Sequence, residues 1–311
     1  MIYGKYSFFG RFKSEAVLPR YKGSTFRGVF GQALKKVVCA LKNQECEQCL
    51  LKQRCVYAQV FETQALSEEE EDKRIAARPH PYVIEPPLST ATSFVNNDPF
   101  NFNLLLFGDI NNSLAYFIYA FEQMGNIGIG KRINGKRGRF SLEEVRCGDT
   151  LLYSWSDSIL RNESNNKIMK LAAPQYLGHG RLSLHLITPL RLKFENRLRA
   201  ELPFHVLVRA MLRRVSSLFS CYGEGEPDLD YREMVKRAQD VKIVNSGLEW
   251  YDWRRYSFRQ DKPMLMGGMS GTVTYEGDIG EYLPLVDICS EVHIGKQTSF
   301  GLGKIKAEVF E

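Results

Sequence analysis

Two stretches of this chain combine glycines, cations and hydroxyls in a way that suits a polyanion. The first is Gly125-Asn126-Ile127-Gly128-Ile129-Gly130-Lys131-Arg132, continuing through Gly135-Lys136-Arg137-Gly138-Arg139. The second is Val292-His293-Ile294-Gly295-Lys296-Gln297-Thr298-Ser299-Phe300-Gly301-Leu302-Gly303-Lys304. Glycine lacks a Cβ, so its N–H can approach a phosphate oxygen closely and the chain can turn through positive φ. Gly295, Gly301 and Gly303 are therefore candidate phosphate contacts, with Lys296, Lys304 and Thr298 supplying charge and hydroxyl donors. In the first stretch Lys131, Arg132, Lys136, Arg137 and Arg139 have no intervening carboxylate, so a phosphate backbone would meet a concentrated field. A plain turn into a strand would use the same glycines. The recurrence, each copy closing one half of the chain before a strand-like segment, points instead to a duplicated phosphate-holding loop.

A second constellation is built of thiols. Cys39, Cys46, Cys49 and Cys55 are spaced C-x6-C-x2-C-x5-C, and four thiolates so spaced can converge on one ion. Tetrahedral zinc is the simplest occupant, in a structural role, because four protein ligands leave no open coordination position. The outer spacings fit no standard finger and also accommodate an iron–sulfur cluster, while reduced, unligated thiols are the third reading. Cys147, Cys221 and Cys289 are scattered and read as ordinary thiols.

The elements that must position these groups follow from length and periodicity. A chain of 311 residues suggests two domains, each with its own core. The net charge is modest, 42 − 36 = +6, with a pI near 8.8. No apolar run is long enough to cross a bilayer and no secretory leader is recognisable, so a cytoplasmic protein without membrane contact is expected. In such a compartment disulfides are not expected.

In the first half, Ile2, Tyr6, Phe8 and Phe12 alternate with polar residues as in a half-buried strand. Ser24 is placed to cap a helix with the stripe Phe26, Phe30, Ala33, Leu34, Val37, Val38 and Leu41. The acidic run Ser67 to Asp72 reads as a solvated insertion. A strand over Phe100 to Leu106, a helix over Leu114 to Phe121 and a strand over Phe140 to Val145 complete the half. Gly148 to Gly178 reads as a connection. The second half has a strand from Arg181 to Phe194 interrupted at Pro189. A helix over Phe204 to Phe219 should expose Arg209, Arg213 and Arg214. Strands over Leu248 to Phe258 and Met264 to Tyr275, a helix over Tyr282 to Ser290 and a last strand follow. Each half approximates β-α-β-β-α-β, so the expected fold is α+β, two tandem ferredoxin-like (RRM-like) domains with glycine-rich loops. The expected boundaries are 1–147, a linker at 148–179, and 180–311.

The terminal motif Val292 to Gly303 resembles the carboxy-terminal glycine-rich motif of the CRISPR RNA-processing endoribonucleases of the RAMP superfamily, the sixth CRISPR-associated family. Gly23-Ser24-Thr25-Phe26-Arg27-Gly28 with the following Cys39, Leu212-Arg213-Arg214-Val215-Ser216, and Arg255-Tyr256-Ser257 with Gly267-Gly268-Met269-Ser270-Gly271 are similar to a branch of it in which cysteines follow the first helix. The resemblance spans nearly the whole chain. It implies two tandem ferredoxin-like domains and metal-independent cutting of a repeat-derived precursor RNA. It also implies, as partners, the precursor CRISPR RNA repeat and subunits of a CRISPR effector complex. The rival expectation is a non-catalytic RAMP subunit that binds guide RNA in such a complex.

A metal-independent cut uses the neighbouring 2′-hydroxyl as nucleophile. The protein must help remove its proton, stabilise the phosphorane charge and protonate the leaving 5′-oxygen. DNA, lacking that hydroxyl, would resist. Of five histidines, His293 adjoins the glycine loop and His205 opens a helix whose dipole favours a neutral imidazole. These two are the acid–base candidates, His293 ahead, with Lys296 as the charge stabiliser. Each has a plain reading as well: a hydrogen bond fixing the loop for His293, and packing under the helix start for His205. His185 shares a polar strand face with Arg191, and His80 and His179 lie in loops with no partner visible. Trp250, Tyr251, Trp253, Arg254, Arg255 and Tyr256 offer ring faces and guanidinium groups on which bases can stack, with Arg254 and Arg255 as RNA-binding candidates; an aromatic core with a basic rim accounts for them nearly as well.

Overall fold

The computed structural model describes residues 1–42, 44–62, 78–161, 166–174, 179–194, 197–257 and 262–310. The chain forms two units, Ile2–Ile168 and Met169–Glu311 together with Met1. The acidic run Ser67 to Asp72 lies outside the described residues.

In the N-terminal unit, β1 (Ile2–Phe12) buries Tyr6, Phe8 and Phe12, as its alternation requires. α1 (Gly23–Val38) starts one residue before Ser24, which is not its cap, and ends where Cys39 turns extended. Leu41 therefore leaves the apolar stripe and is exposed. A short helix α2 (Val56–Phe61), β2 (Tyr82–Glu85), β3 (Pro99–Phe107) and α3 (Leu114–Ile127) follow. Then come a hairpin of β4 (Ile129–Ile133) and β5 (Lys136–Gly138), β6 (Phe140–Cys147) and β7 (Thr150–Ser154). The main sheet runs β7-β6-β1-β3-β2, with β1 antiparallel to both β3 and β6. Taking β1, β2, β3 and β6 as the four strands of the repeat gives the order 4-1-3-2 of a ferredoxin-like sheet. Phe30 and Phe121 stack with centroids 4.5 Å apart, and Phe102 meets Phe121 at 4.7 Å, joining α1, α3 and the sheet. Such pairs add about 0.5–1.5 kcal/mol each beyond the area they bury.

The expected connection over Gly148 to Gly178 contains three short strands among its described residues. β7 pairs with β6, Ile159–Leu160 extends β7, and Lys167–Ile168 pairs with β1. These strands are two to five residues long, too short to leave a sustained hydrophobic period in the sequence.

The C-terminal unit repeats the plan. β8 (His179–Leu190) is followed by α4 (Phe204–Tyr222), α5 (Tyr231–Arg237), β9 (Lys242–Ser246), β10 (Glu249–Ser257), β11 (Lys262–Asp278), α6 (Leu283–Val292) and β12 (Ile305–Phe310). The sheet order is β12-β8-β11-β9, again 4-1-3-2. The seventeen-residue β11 pairs with β8 along one edge and serves two partners along the other: Val273 to Glu276 pair with β9, and Lys262 to Ser270 pair with β10. The handover falls at Gly271, where φ is +113° and a Cβ would stand 2.1 Å from the Gly247 carbonyl oxygen. Pro189 lies within the register break between Leu186 and Leu190, as a residue with no N–H should. Leu192 and Phe194 lie beyond the strand end.

One assignment on α4 is corrected. Arg214 does not project into solvent with Arg213 but is buried. Its guanidinium donates to the carbonyls of Val292 and His293, with Nη2 2.8 Å from Val292 O. An arginine on the polar side of a helical wheel has turned inward to cap the C-terminus of α6, whose last carbonyls have no helical partner. Burial pushes its pKa down to about 10.

Candidate nucleic-acid interface and acid–base group

Both glycine stretches occupy the same place in their units, between the second helix of the repeat and its fourth strand, yet they are built differently. The first is the β4–β5 hairpin. Asn134 (φ +49°) and Gly135 (φ +81°) form its tip, the positive-φ pair that a tight two-residue hairpin demands. Gly130 and Gly138 let the hairpin lie against the chain at residues 15–18, where a Cβ on either would stand 2.2 Å from Val17 O or from the Ala16 side chain. Lys131, Arg132, Lys136 and Arg139 are exposed and Arg137 is half-buried. The basic face is thus presented to solvent on a supported ribbon.

The second stretch turns its glycines inward. Gly301 and Gly303 are buried, and their N–H groups are occupied: Gly301 N donates to Thr298 O at 2.7 Å and Gly303 N to Pro189 O at 3.0 Å. Neither is therefore available as the phosphate donor that sequence reasoning proposed. They are glycine because other backbone passes where a side chain would be; a Cβ on Gly303 would stand 1.8 Å from Ile294 O. Gly295 (φ +83°) is half-buried against Arg191 O. Lys296 is exposed, Thr298 and Lys304 half-buried, so the cationic groups of the stretch, rather than its amides, face outward.

His293 is fully buried, with Nδ1 3.0 Å from Leu302 O, and its own carbonyl accepts from Arg214. It holds a φ of +61° at the end of α6, a conformation a β-substituted residue adopts only when its surroundings fix it. Its ring pins the loop and presents no surface to a ligand. This reverses the order of the two acid–base candidates.

His205, in the first turn of α4, is half-buried, and Phe194 packs edge-on against its ring at 6.2 Å. Burial lowers its pKa, and the nearby Arg209 cation lowers it further, which keeps the imidazole neutral near pH 7. Arg191 O accepts the Lys296 N–H at 3.0 Å. Arg191 and Phe194 are three residues apart, a span of at most about 10 Å, so one short segment touches both His205 and the glycine stretch. Arg191 itself is anchored by a hydrogen bond to Gly267 O at 2.8 Å.

The other histidines are partnered. His185 meets Thr272 Oγ1 at 3.0 Å and lies 3.6 Å from Glu308, and His179 lies 3.5 Å from Glu276. His80, for which the sequence offered no partner, bonds Val60 O and approaches Arg27 at 3.4 Å. Sequence reasoning also missed Lys22, whose buried ammonium is held by the Ser89 and Arg20 carbonyls and whose pKa is lowered by burial; nothing in the local sequence marks a buried lysine. On β10, Tyr251 and Trp253 stack with centroids 5.4 Å apart and Arg254 is exposed, while the side chain of Arg255 lies outside the described residues. Cys39, Cys49 and Cys55 line one pocket at the C-terminal end of α1. Burial raises the pKa of Cys46; Lys35 opposes the rise, and Glu62, Cys55 and Cys39 add to it.

Two ferredoxin-like units, each with a glycine stretch before the fourth strand of its repeat, define a tandem ferredoxin-like architecture. Residues 1–171 match the AF_1859_N family, an N-terminal domain, and residues 184–305 match the family of the CRISPR-associated endoribonuclease Cas6. The first match covers more than half of the chain, which therefore belongs to the AF_1859_N family, and its second half is similar to Cas6. It is 25% identical over 289 residues to an uncharacterized protein of Archaeoglobus fulgidus, covering 92% of this chain and 91% of that one. Among solved structures it is similar to Thermus thermophilus Cas6, with TM-score 0.55 at 10% identity over 99% of this chain and 98% of that one. A partial Cas6-RT-Cas1–Cas2 complex matches with TM-score 0.56 at 13% identity over 99% of this chain. The chain spans 46% of the length of that last relative. Among the described residues no helix is long and apolar enough to cross a membrane.

Proposed function

We propose that the protein is an endoribonuclease that cuts precursor CRISPR RNA within its repeats, by attack of the 2′-hydroxyl on the adjacent phosphorus, without using a metal in that step. The observation that carries this reading is His205, a half-buried imidazole with a lowered pKa whose packing partner Phe194 lies three residues from the contact of the Lys296 backbone. In the proposed step neutral His205 accepts the 2′-hydroxyl proton, the 2′-oxygen forms a bond to phosphorus, and the P–O5′ bond breaks. The 5′-oxygen takes up a proton from solvent water, leaving a 2′,3′-cyclic phosphate on one product and a 5′-hydroxyl on the other. Lys296 offsets charge on the non-bridging oxygens. Lys131, Arg132, Lys136, Arg137 and Arg139, with Lys304 and Arg254, hold the phosphate backbone, and the stacked Tyr251 and Trp253 offer a face to bases at about 1–3 kcal/mol per base.

One observation favours a second reading. The burial of His293 removes one of two acid–base candidates, as expected of a subunit that binds guide RNA and does not cut it. Purified protein incubated with repeat RNA in excess EDTA separates the two. A discrete product with a 2′,3′-cyclic phosphate end, lost in His205→Ala and not in a variant of His185, supports the enzyme. Salt-sensitive binding without cleavage overturns it in favour of the binding subunit.

A further inference from the structure

The segment that joins α1 to α2 has regular local structure and no core. Cys46–Gln48 and Lys52–Arg54 each form a 3-10 turn, with Cys49 N donating to Cys46 O and Lys52 N to Cys49 O at 3.0 Å. Yet among the described residues from Ala40 to Cys55 none is buried, and Leu50 is 84% exposed. Two isolated 3-10 turns are weak on their own, and fixing a residue's backbone costs roughly 1–2 kcal/mol. Apolar burial does not offset that cost here. The groups drawn inward are the thiols: Cys46, Cys49 and Cys55 are half-buried while most of their neighbours are exposed. Cys39 joins them from the end of α1, and Cys39, Cys49 and Cys55 share one pocket with Val37, Val38 and Tyr116.

We propose that Cys39, Cys46, Cys49 and Cys55 bind one thiophilic divalent cation, zinc, in a tetrahedral four-thiolate site that fixes this segment to the C-terminal end of α1. The donor set fits: four sulfurs of the right type, none in a disulfide, with the Cys46-x-x-Cys49 pair already in the turn that such ligand pairs adopt. Among the described residues no three ligating side chains are prearranged as a set. Binding therefore draws the two turns together and displaces the thiol protons, and its free energy orders the segment. With all four positions filled by protein, the ion takes no part in RNA cleavage, and this site stands whether or not the cleavage reading does.

The test is metal analysis of the full-length protein purified without chelator, followed by cobalt substitution. The expected result is one zinc per chain, released when the thiols are titrated with a mercurial. Cobalt-loaded protein should show the intense d–d and thiolate-to-cobalt charge-transfer bands of a tetrahedral all-sulfur site. Cys46→Ser should lower metal content and weaken the charge-transfer band, and because this variant could unfold the segment, limited proteolysis of the unaltered protein with and without a strong chelator provides a second reading. Chelation should open cleavage between Ala40 and Arg54 and leave the rest intact. Metal-free protein whose four thiols react freely, or the visible absorbance of an iron–sulfur cluster, overturns the proposal.

Discussion

The β4–β5 hairpin and the Val292 to Lys304 stretch stand at equivalent points of two equivalent units, and the same residue types do opposite work in them. In the hairpin the glycines let a ribbon turn and rest on its support while four of the five cations are exposed. In the C-terminal stretch five residues, His293, Gly295, Gln297, Gly301 and Gly303, have positive φ, and the loop is folded into its own unit. Thr188 Oγ1 donates to Gly301 O at 2.7 Å, Arg214 caps His293 O, and the His293 ring meets Leu302 O. A motif rich in glycine and lysine thus separates into two physical roles. One displays charge, and the other builds a rigid turn that aims a single exposed lysine.

The sharpest way to break this comparison is to add one methyl group to each loop. Gly303→Ala places a Cβ 1.8 Å from Ile294 O at a φ of +74°. It should destabilise the C-terminal unit by at least about 3 kcal/mol, since overpacking and forbidden backbone combine. Gly135→Ala, where φ is +81° and nothing lies within 4 Å, should cost only about 1 kcal/mol of left-handed strain. Urea denaturation of both variants reads the difference. Equal costs would mean that the C-terminal stretch is no more built into its unit than the hairpin.

How much of this was legible in the sequence depends on what each residue's role rests on. The ferredoxin-like order could be read because β1, β8, α1, α3 and α4 bury one periodic face each. The order of strands in space, and the sharing of one edge of β11 by β9 and β10, rest on pairings between distant residues that no local period records. Glycines could be recognised as special but not as inward or outward, since a phosphate and a passing carbonyl demand the same absent Cβ. Arg214 shows the same ambiguity: its type and its place on the wheel say surface, and only the end of α6 packed against it supplies the carbonyls that hold it inside. His293 and His205 were ranked by distance along the chain from the glycines, and the ranking reversed because proximity in sequence placed His293 within the turn and not beside it.

A second test sharpens the charge side. Replacing Lys131, Arg132 and Lys136 together by Ala should leave stability within about 0.5 kcal/mol, because all three are exposed. It should nevertheless weaken RNA binding and flatten its salt dependence. If each cation neutralises one phosphate of a single strand, the slope of log K against log salt should fall by about 2 in magnitude. The matching Lys296→Ala change should move that slope by about 0.7 at most, and should reduce the cleavage rate more than the affinity. A triple variant with an unaltered slope would take the hairpin off the RNA path.

The smallest expected effect concerns His205 and tests whether its titration governs the reaction. Its pKa is lowered first by burial and then by Arg209, one helical turn further along α4. A histidine whose pKa falls on folding binds fewer protons in the native state than in the unfolded chain between its native value and the ordinary 6.5. This group's contribution to stability therefore rises with pH through that window, and its penalty is fully present below it. Cleavage that needs the neutral imidazole should have its acidic limb in the same window. Arg209→Gln removes the second cause and leaves the first, so the limb should move upward without reaching 6.5, while Arg209→Lys keeps the charge and should leave it in place. Single-turnover rates, measured at saturating protein so that any loss of RNA affinity drops out, read the shift. A limb that stays fixed in Arg209→Gln, with activity still lost in His205→Ala, would make His205 a positioning residue for the 191–194 segment and leave the proton acceptor to another group.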